Sequence, residues 1–329
     1  MTDFNILPWQ QDNWDLLKHA EQNGRLPHAI LLEVGCSLEK NLFAKNFSKY
    51  ILCDTENCRT DSLCKSCFLL DRNSHPDLTF IKPEEKSQII KVDQIRELVA
   101  SSHETTSFGG YKVIIIDPAD SLNNAAFNAL LKTLEEPCSN TLLILISDTA
   151  LSLPATISSR LSKIKFQNSK ADAAIAWLKS QSLDNTESEI RLLLNIFENK
   201  PLRVIDSEKD IVLDVRQNLY DGMFAIIKNS DSPIQLATTL QKHDISLVLN
   251  LLMSFLNDVM RFKLINDESS ILNFDYKNQF LNLNINIENL LCIIDKVSEN
   301  HINLANKFNL NKQLLLEDIL FEWKSYVSC

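Results

Sequence analysis

The chain has 329 residues, enough for two or three domains at roughly 100–200 residues each. Hydrophobic residues make up 45% and charged residues 23%, an ordinary globular balance that argues against disorder and against a disulfide-dense miniprotein. Lys and Arg number 33 against 43 Asp and Glu, and the formal net charge of −10 is shared by both parts of the chain, so neither carries the basic excess of a stand-alone nucleic-acid binder.

The first ten residues lack the basic-then-apolar pattern of a secretion signal, and no apolar run approaches the roughly 18 residues that span a bilayer. The expectation is a soluble intracellular protein. Its 8 cysteines would then sit in a reducing cytoplasm, where clustered Cys means metal or catalysis more often than disulfides.

In chain order, Trp14, Leu16, Leu17 and Ala20 have helical spacing that stops at Gly24. Ala29 to Val34 is an apolar run of strand length, and Glu39 to Leu52 returns to a period near 3.6, which makes a strand–turn–helix unit. A cysteine-rich insert follows from Cys53 to Cys67. Leu78 to Ile81 reads as a strand and Val92 to Ser101 as a helix. Lys112 to Ile116 is a β-branched run of the kind buried on both faces of a parallel sheet. Asn123 to Glu136 is a helix that Asn123 or Asn124 can cap and Pro137 ends, and Leu142 to Ile146 is a further strand. Alternating strands and helices predict a doubly wound parallel sheet through about Phe166. After Ser169 nearly every segment has helical period. The alternating stretch Leu281 to Ile287 reads as a loop leading into a helix capped by Asn286.

Three constellations carry chemistry. Cys53, Cys58, Cys64 and Cys67 are spaced C-x4-C-x5-C-x2-C, and four thiolates so close can close a tetrahedral shell around Zn²⁺. Such a shell leaves no open position for water, so the metal would be structural. Buried small hydrophobes or a redox pair is the competing reading. Cys36, Cys138, Cys292 and Cys329 are scattered and read as core or surface thiols.

The second constellation is a loss. A phosphate loop needs G-x-x-x-x-G-K-[ST] between strand and helix, with backbone N–H groups around the phosphates, a Lys to neutralise them and a hydroxyl for Mg²⁺. Here the first glycine is Gly35, but Lys40, Asn41 and Leu42 stand at the Gly, Lys and Ser/Thr positions, and Glu39 is hostile to phosphate. The third is Asp117, at the end of Lys112–Ile116 where a Walker B carboxylate would hold Mg²⁺. Its neighbour is Pro118 in place of a water-activating Glu. No ATP is expected in cis. Asp117 as a plain loop residue is the alternative.

At these residues the chain resembles the delta-prime family of bacterial DNA polymerase III clamp-loader subunits, in the AAA+ superfamily. The resemblance rests on Gly24-Arg25-Leu26-Pro27-His28-Ala29, the four-Cys insert followed by His75-Pro76-Asp77, Val92-Asp93-Gln94-Ile95-Arg96, Tyr111-Lys112-Val113, and above all Asn128 to Pro137. It is dense from about Leu7 to Leu161 and thin afterwards, with Asn309 to Leu314 and the final helix as further matches.

The resemblance implies an α/β AAA+ core at 1–168 with a zinc insert at 53–67, a helical lid at 169–206 and an all-α collar at 207–329. The implied role is that of a non-catalytic member of a heteropentameric ring with tau/gamma and delta subunits, loading the sliding clamp onto primed DNA at the cytoplasmic replisome. The family's Ser-Arg-Cys motif falls on Ser159-Arg160-Leu161, which makes Arg160 an arginine finger toward ATP held by a neighbouring subunit. Guanidinium suits that task because it is planar, always charged and bidentate towards phosphate. Arg160 as an ordinary solvated residue is the competing reading. Arg203 lies one place off the lid's sensor position and is assigned no role, and Ser147 and Thr149 read as hydrogen-bonding turn residues. Two other functions stay open at this point: an active AAA+ ATPase of tau/gamma type with an unorthodox loop, and a zinc-stapled nucleic-acid binder.

Overall fold

The structure, a computed structural model, describes residues 6–34, 36–53, 64–84, 87, 89–147, 153–167, 169–181, 186–207, 209–265, 271–305 and 311–327. Chain contacts divide it into two compact units, Met1–Ala173 and Ala174–Cys329.

The first unit runs α1 (Gln11–Gln22), β1 (Ala29–Glu33), α2 (Ser37–Leu52), α3 (Lys65–Asp71), β2 (Leu78–Ile81), α4 (Val92–Ser102), β3 (Lys112–Ile116), α5 (Asn124–Glu135), β4 (Thr141–Ile146), α6 (Ala155–Ser158) and β5 (Ser162–Lys165). The strands form one parallel sheet in the order β2-β3-β4-β1-β5, with Ile30 opposite Ile144 and Ile114 opposite Leu143. Every residue of β1, β3 and β4 is buried, because helices cover both faces and each strand sends alternate side chains to opposite layers. Ile30, Leu32, Val113, Ile115 and Ile144 enter one core with Trp14, Phe43, Phe47 and Phe166. Leu31, Ile114, Ile116, Leu143 and Leu145 enter the other with Ile95, Leu98, Phe127 and Leu130. Each such side chain contributes about 1.5–3 kcal/mol by leaving water, so a charge at Ile115 would break β3.

Local signals set the helix ends. Asn123 caps α5, its Oδ1 accepting from Ala126 N at 2.8 Å, which decides between the two asparagines. Helix α3 is absent from the sequence expectation. It starts at Cys64, whose Sγ accepts from Cys67 N at 3.3 Å in place of a capping oxygen.

The second unit is helical: α7 (Ala171–Ser180) begins at the boundary, followed by α8 (Glu187–Ile196), α9 (Pro201–Asp206), α10 (Lys209–Ile227), α11 (Pro233–Leu240), α12 (Ile245–Ile265), α13 (Lys277–Leu281), α14 (Ile287–Ala305) and α15 (Lys312–Val327). One core joins Ile175, Ile190 and Val204 to Leu219, Phe255, Leu290 and Trp323, so the segments 169–206 and 207–329 meet in a single compact unit. Asn286 caps α14 as expected, accepting from Glu288 N at 3.2 Å. Helix α12, with a mean hydropathy of 1.4 over its best window, is long and apolar enough to cross a membrane, where the sequence reading found no such run. More than half of that window is buried inside the protein, Leu251, Leu252 and Phe255 completely.

A buried polar network runs between α10, α12 and the 271–276 segment. Asp258, 0% exposed on α12, accepts from Leu272 N, Asn273 N, Asn273 Nδ2 and Arg261 Nη1. Asn273 Oδ1 in turn accepts from Arg216 Nε, and Arg216 forks onto Asp275 while lying over the Tyr220 and Tyr276 rings. Burial opposes the Arg216 charge, but Asp275 together with Tyr220 and Tyr276 outweighs it and holds the guanidinium's pKa above its ordinary value.

Candidate functional site

The parallel topology brings the ends of β1, β3 and β4 to one edge of the sheet, the usual ligand edge of an open α/β fold. The chain leaves β1 through Val34 at φ +64°, a left-handed conformation disfavoured for a β-branched side chain. Gly35 lies outside the described residues. Helix α2 then starts, and its first turn presents Glu39 and Lys40, which are 2% and 0% exposed.

Neither side chain is offered to solvent. Trp9 Nε1 donates to Glu39 Oε2 at 3.0 Å and Gln10 Nε2 donates to Glu39 O at 3.2 Å. A buried carboxylate thus sits in the first turn, where the helix dipole favours negative charge and where a phosphate loop would hold its phosphate. Lys40 Nζ turns inward and donates to Ser147 O at the end of β4. Ser147 Oγ donates to Asp120 Oδ1 at 2.7 Å, so one buried serine links the cation to a carboxylate after β3. Asn41 Nδ2 is bonded to Ser37 O within the same turn, and Leu42 supplies no hydroxyl. Asp117 follows β3 with its backbone N bonded to Ile81 O. Ser147 is the hydrogen-bonding residue the sequence suggested, while Thr149 lies outside the described residues.

Three of the four predicted metal ligands converge. The sulfurs of Cys53, Cys64 and Cys67 lie within 4.8 Å of one another, with Cys53–Cys64 at 4.0 Å and Cys53–Cys67 at 3.5 Å. Sulfurs on a tetrahedron about 2.3 Å from zinc are about 3.8 Å apart, so the donor set and its spacing fit a thiolate-held metal. Cys58 lies outside the described residues. Burial pushes the Cys67 thiol up, as do hydrogen bonds and proximity to its two sulfur neighbours.

Arg160 stands in the turn between α6 and β5. Its Nη1 donates to Thr156 O at 2.7 Å and approaches Ser159 Oγ at 3.4 Å, and its Nη2 pairs with Glu135 Oε1 at 2.9 Å. The side chain keeps 36% of its surface exposed. Leu161 is a buried member of the α4–α5 core. Arg203 is exposed on α9, after Glu198 and Asn199 both take positive φ at the turn.

The family described as "DNA polymerase III, delta subunit" matches residues 9–170, and "DNA polymerase III, delta subunit, C terminal" matches residues 212–325. A DNA polymerase III subunit delta' of Pseudomonas aeruginosa is 31% identical, covering 98% of this chain and 98% of its own length. The chain belongs to the DNA polymerase III subunit delta' family. The Escherichia coli delta' subunit is 25% identical over 97% of the chain and 96% of its own length. A solved structure of a DNA polymerase III gamma subunit-related protein from Thermotoga maritima covers 94% of this chain and 99% of its own, at 17% identity and a TM-score of 0.47.

Within this delta' family member, His75 and Asp77 emerge as supports of the thiol cluster. His75 Nδ1 accepts from Asp77 N at 3.1 Å, which leaves the ring proton on Nε2 to bond Ser66 Oγ at 2.9 Å. Ser66 donates to Leu52 O, so α2, α3 and the turn before β2 are tied together beside the sulfurs. The Asp77 carboxylate takes the N–H groups of Ser107 and Phe108. The sequence marked His75-Pro76-Asp77 by resemblance alone. A buried Asp two residues after a His is the pattern that could have suggested a brace. Glu135, the partner of Arg160, was not singled out as a site residue.

Proposed function

We propose that this chain is the non-catalytic subunit of a DNA polymerase III clamp loader, ringed with tau/gamma and delta subunits that load a sliding clamp onto primed DNA. The observation that carries this reading is Lys40. The cation nearest the phosphate-loop position is fully buried and bonded to Ser147 O, beside a first turn that already contains a buried carboxylate. A site filled by its own charges binds no triphosphate, and Pro118 beside Asp117 supplies no base for water. The subunit would therefore act at the cytoplasmic replisome through assembly and through Arg160.

Arg160 is an arginine finger in trans, its guanidinium partly exposed and set at the tip of a short turn. In GTPases such a finger is worth about 10³–10⁵ in rate, which gives a subunit without its own nucleotide a reason to keep this residue. Residues 1–168 form the core, 169–206 the lid and 207–329 the collar through which the ring assembles. Cys53, Cys58, Cys64 and Cys67 hold a structural zinc.

The test has two arms. The isolated chain should show no saturable ATP binding by calorimetry. In a reconstituted loader, Arg160→Ala should leave the ring assembled and depress clamp- and DNA-stimulated ATPase by at least tenfold. Turnover of ATP by the isolated chain, or undiminished ATPase in the variant loader, would refute the reading.

A further inference from the structure

We propose that Glu135 is a positioning residue that fixes the Arg160 fork for the neighbouring subunit's phosphate. The inference rests on the reading of Arg160 as a finger in trans.

The geometry is a clamp from two elements. Thr156 O, on α6, holds Nη1 at 2.7 Å, and Glu135, the last helical residue of α5, holds Nη2 at 2.9 Å. Two points fix the plane of a guanidinium. Arg otherwise has long rotamer freedom to lose when it meets a ligand. With five N–H donors on the group, Thr156 O, Ser159 Oγ and Glu135 leave two to present to phosphate oxygens. Ser159 Oγ, itself bonded to Thr156 O, steadies the turn beneath it.

Glu135 also sits at an awkward place for its own helix. A carboxylate at a helix C-terminus faces the negative end of the dipole, and Glu136 follows immediately. Its charge there is compensated locally by the Arg160 cation. The pair is half exposed, with Arg160 at 36% and Glu135 at 51%, so phosphate can reach the fork without unfolding either element.

The experiment is a double-mutant cycle in the reconstituted loader, reading kcat and KM for ATP in clamp- and DNA-stimulated hydrolysis, with ring assembly checked by sizing. Glu135→Ala should lower kcat roughly two- to fivefold, the scale of an exposed ion pair, with KM little changed. Glu135→Gln, which keeps the acceptor oxygen, should recover part of the loss and serves as the second variant if Glu135→Ala fails to assemble. The combined Glu135→Ala, Arg160→Ala loader should match Arg160→Ala alone. If Arg160→Ala is harmless, the finger reading itself fails. If Arg160→Ala is damaging while Glu135→Ala is neutral, raises kcat, or adds independently to it, the finger stands and the positioning role is overturned.

Discussion

Lys40 and Ser147, 107 residues apart in the chain, are joined by a buried hydrogen bond from the lysine ammonium to the serine carbonyl. The bond ties the first turn of α2 to the end of β4, and the Ser147 hydroxyl extends it to Asp120. An ammonium with no exposed surface costs several kcal/mol to desolvate unless its donors are satisfied, so this link is a structural commitment of the residue.

Lys40→Met should therefore act on stability and leave nucleotide binding unaltered. It keeps the aliphatic stem and takes a charged donor from the buried Ser147 carbonyl, at a cost of about 1–3 kcal/mol. Urea unfolding should show a lower midpoint at constant slope. A Lys40 that served phosphate would show the opposite pattern, with stability intact and a measurable loss of ATP affinity.

Most of the fold is legible in the sequence because burial imposes period. The β-branched run Val113 to Ile116 sends alternate residues to two cores, and Asn123 caps α5 through a residue type that offers an oxygen to orphan N–H groups. Helix α3 escapes because its cap is a thiol whose preference is set by the cluster it belongs to. Site residues divide the same way. The cysteine spacing and the degraded phosphate loop are statements about residue type at fixed separation, and such statements can be read directly. The inward turn of Lys40 and the clamp on Arg160 depend on side-chain direction and on partners 107 and 25 residues away, about which spacing is silent.

Removal of metal should loosen one region and spare the sheet. The thiols sit where α2 ends and α3 begins, braced by Ser66, His75 and Asp77. The purified protein should contain about one equivalent of zinc, with all four cysteines as ligands. Chelation should raise amide exchange across Ser66–Asp77 while β3 and β4 stay protected. Cys67→Ser should reproduce that pattern without chelator, since Cys67 is fully buried and its sulfur lies within 4.8 Å of both others. Zinc below about half an equivalent would count against the site.

Asp258 should be among the most sensitive polar positions of the helical unit. Its carboxylate gathers two backbone N–H groups of the 271–273 segment, the Asn273 amide and Arg261. Asp258→Ala leaves the buried Asn273 backbone N–H without its acceptor, while the partly exposed Arg261 can turn to water and Asn273 Nδ2 keeps Ser254 Oγ. It should destabilise by about 1–3 kcal/mol. Because Asn273 passes the link to Arg216, the loss should also free the Arg216–Asp275 fork, visible as faster exchange in α10. A cost below about 1 kcal/mol would mean that water reaches the vacated donors.

Gly222 on α10 tests helix propensity against packing. In an exposed helix interior, Gly→Ala gains about 1 kcal/mol. Here an added Cβ would lie 2.6 Å from Leu236 Cδ1 and 2.8 Å from Cδ2, and Leu236 is only 5% exposed on α11. The leucine must change rotamer inside a filled core, and overpacking of that kind costs about 1–3 kcal/mol. Packing should outweigh propensity, so Gly222→Ala should lower the urea midpoint by the equivalent of about 1 kcal/mol. Adding Leu236→Val should restore part of it by shortening the side chain that clashes, a non-additivity expected of residues in contact. A stabilised Gly222→Ala would show that the Leu236 side chain moves aside at little cost.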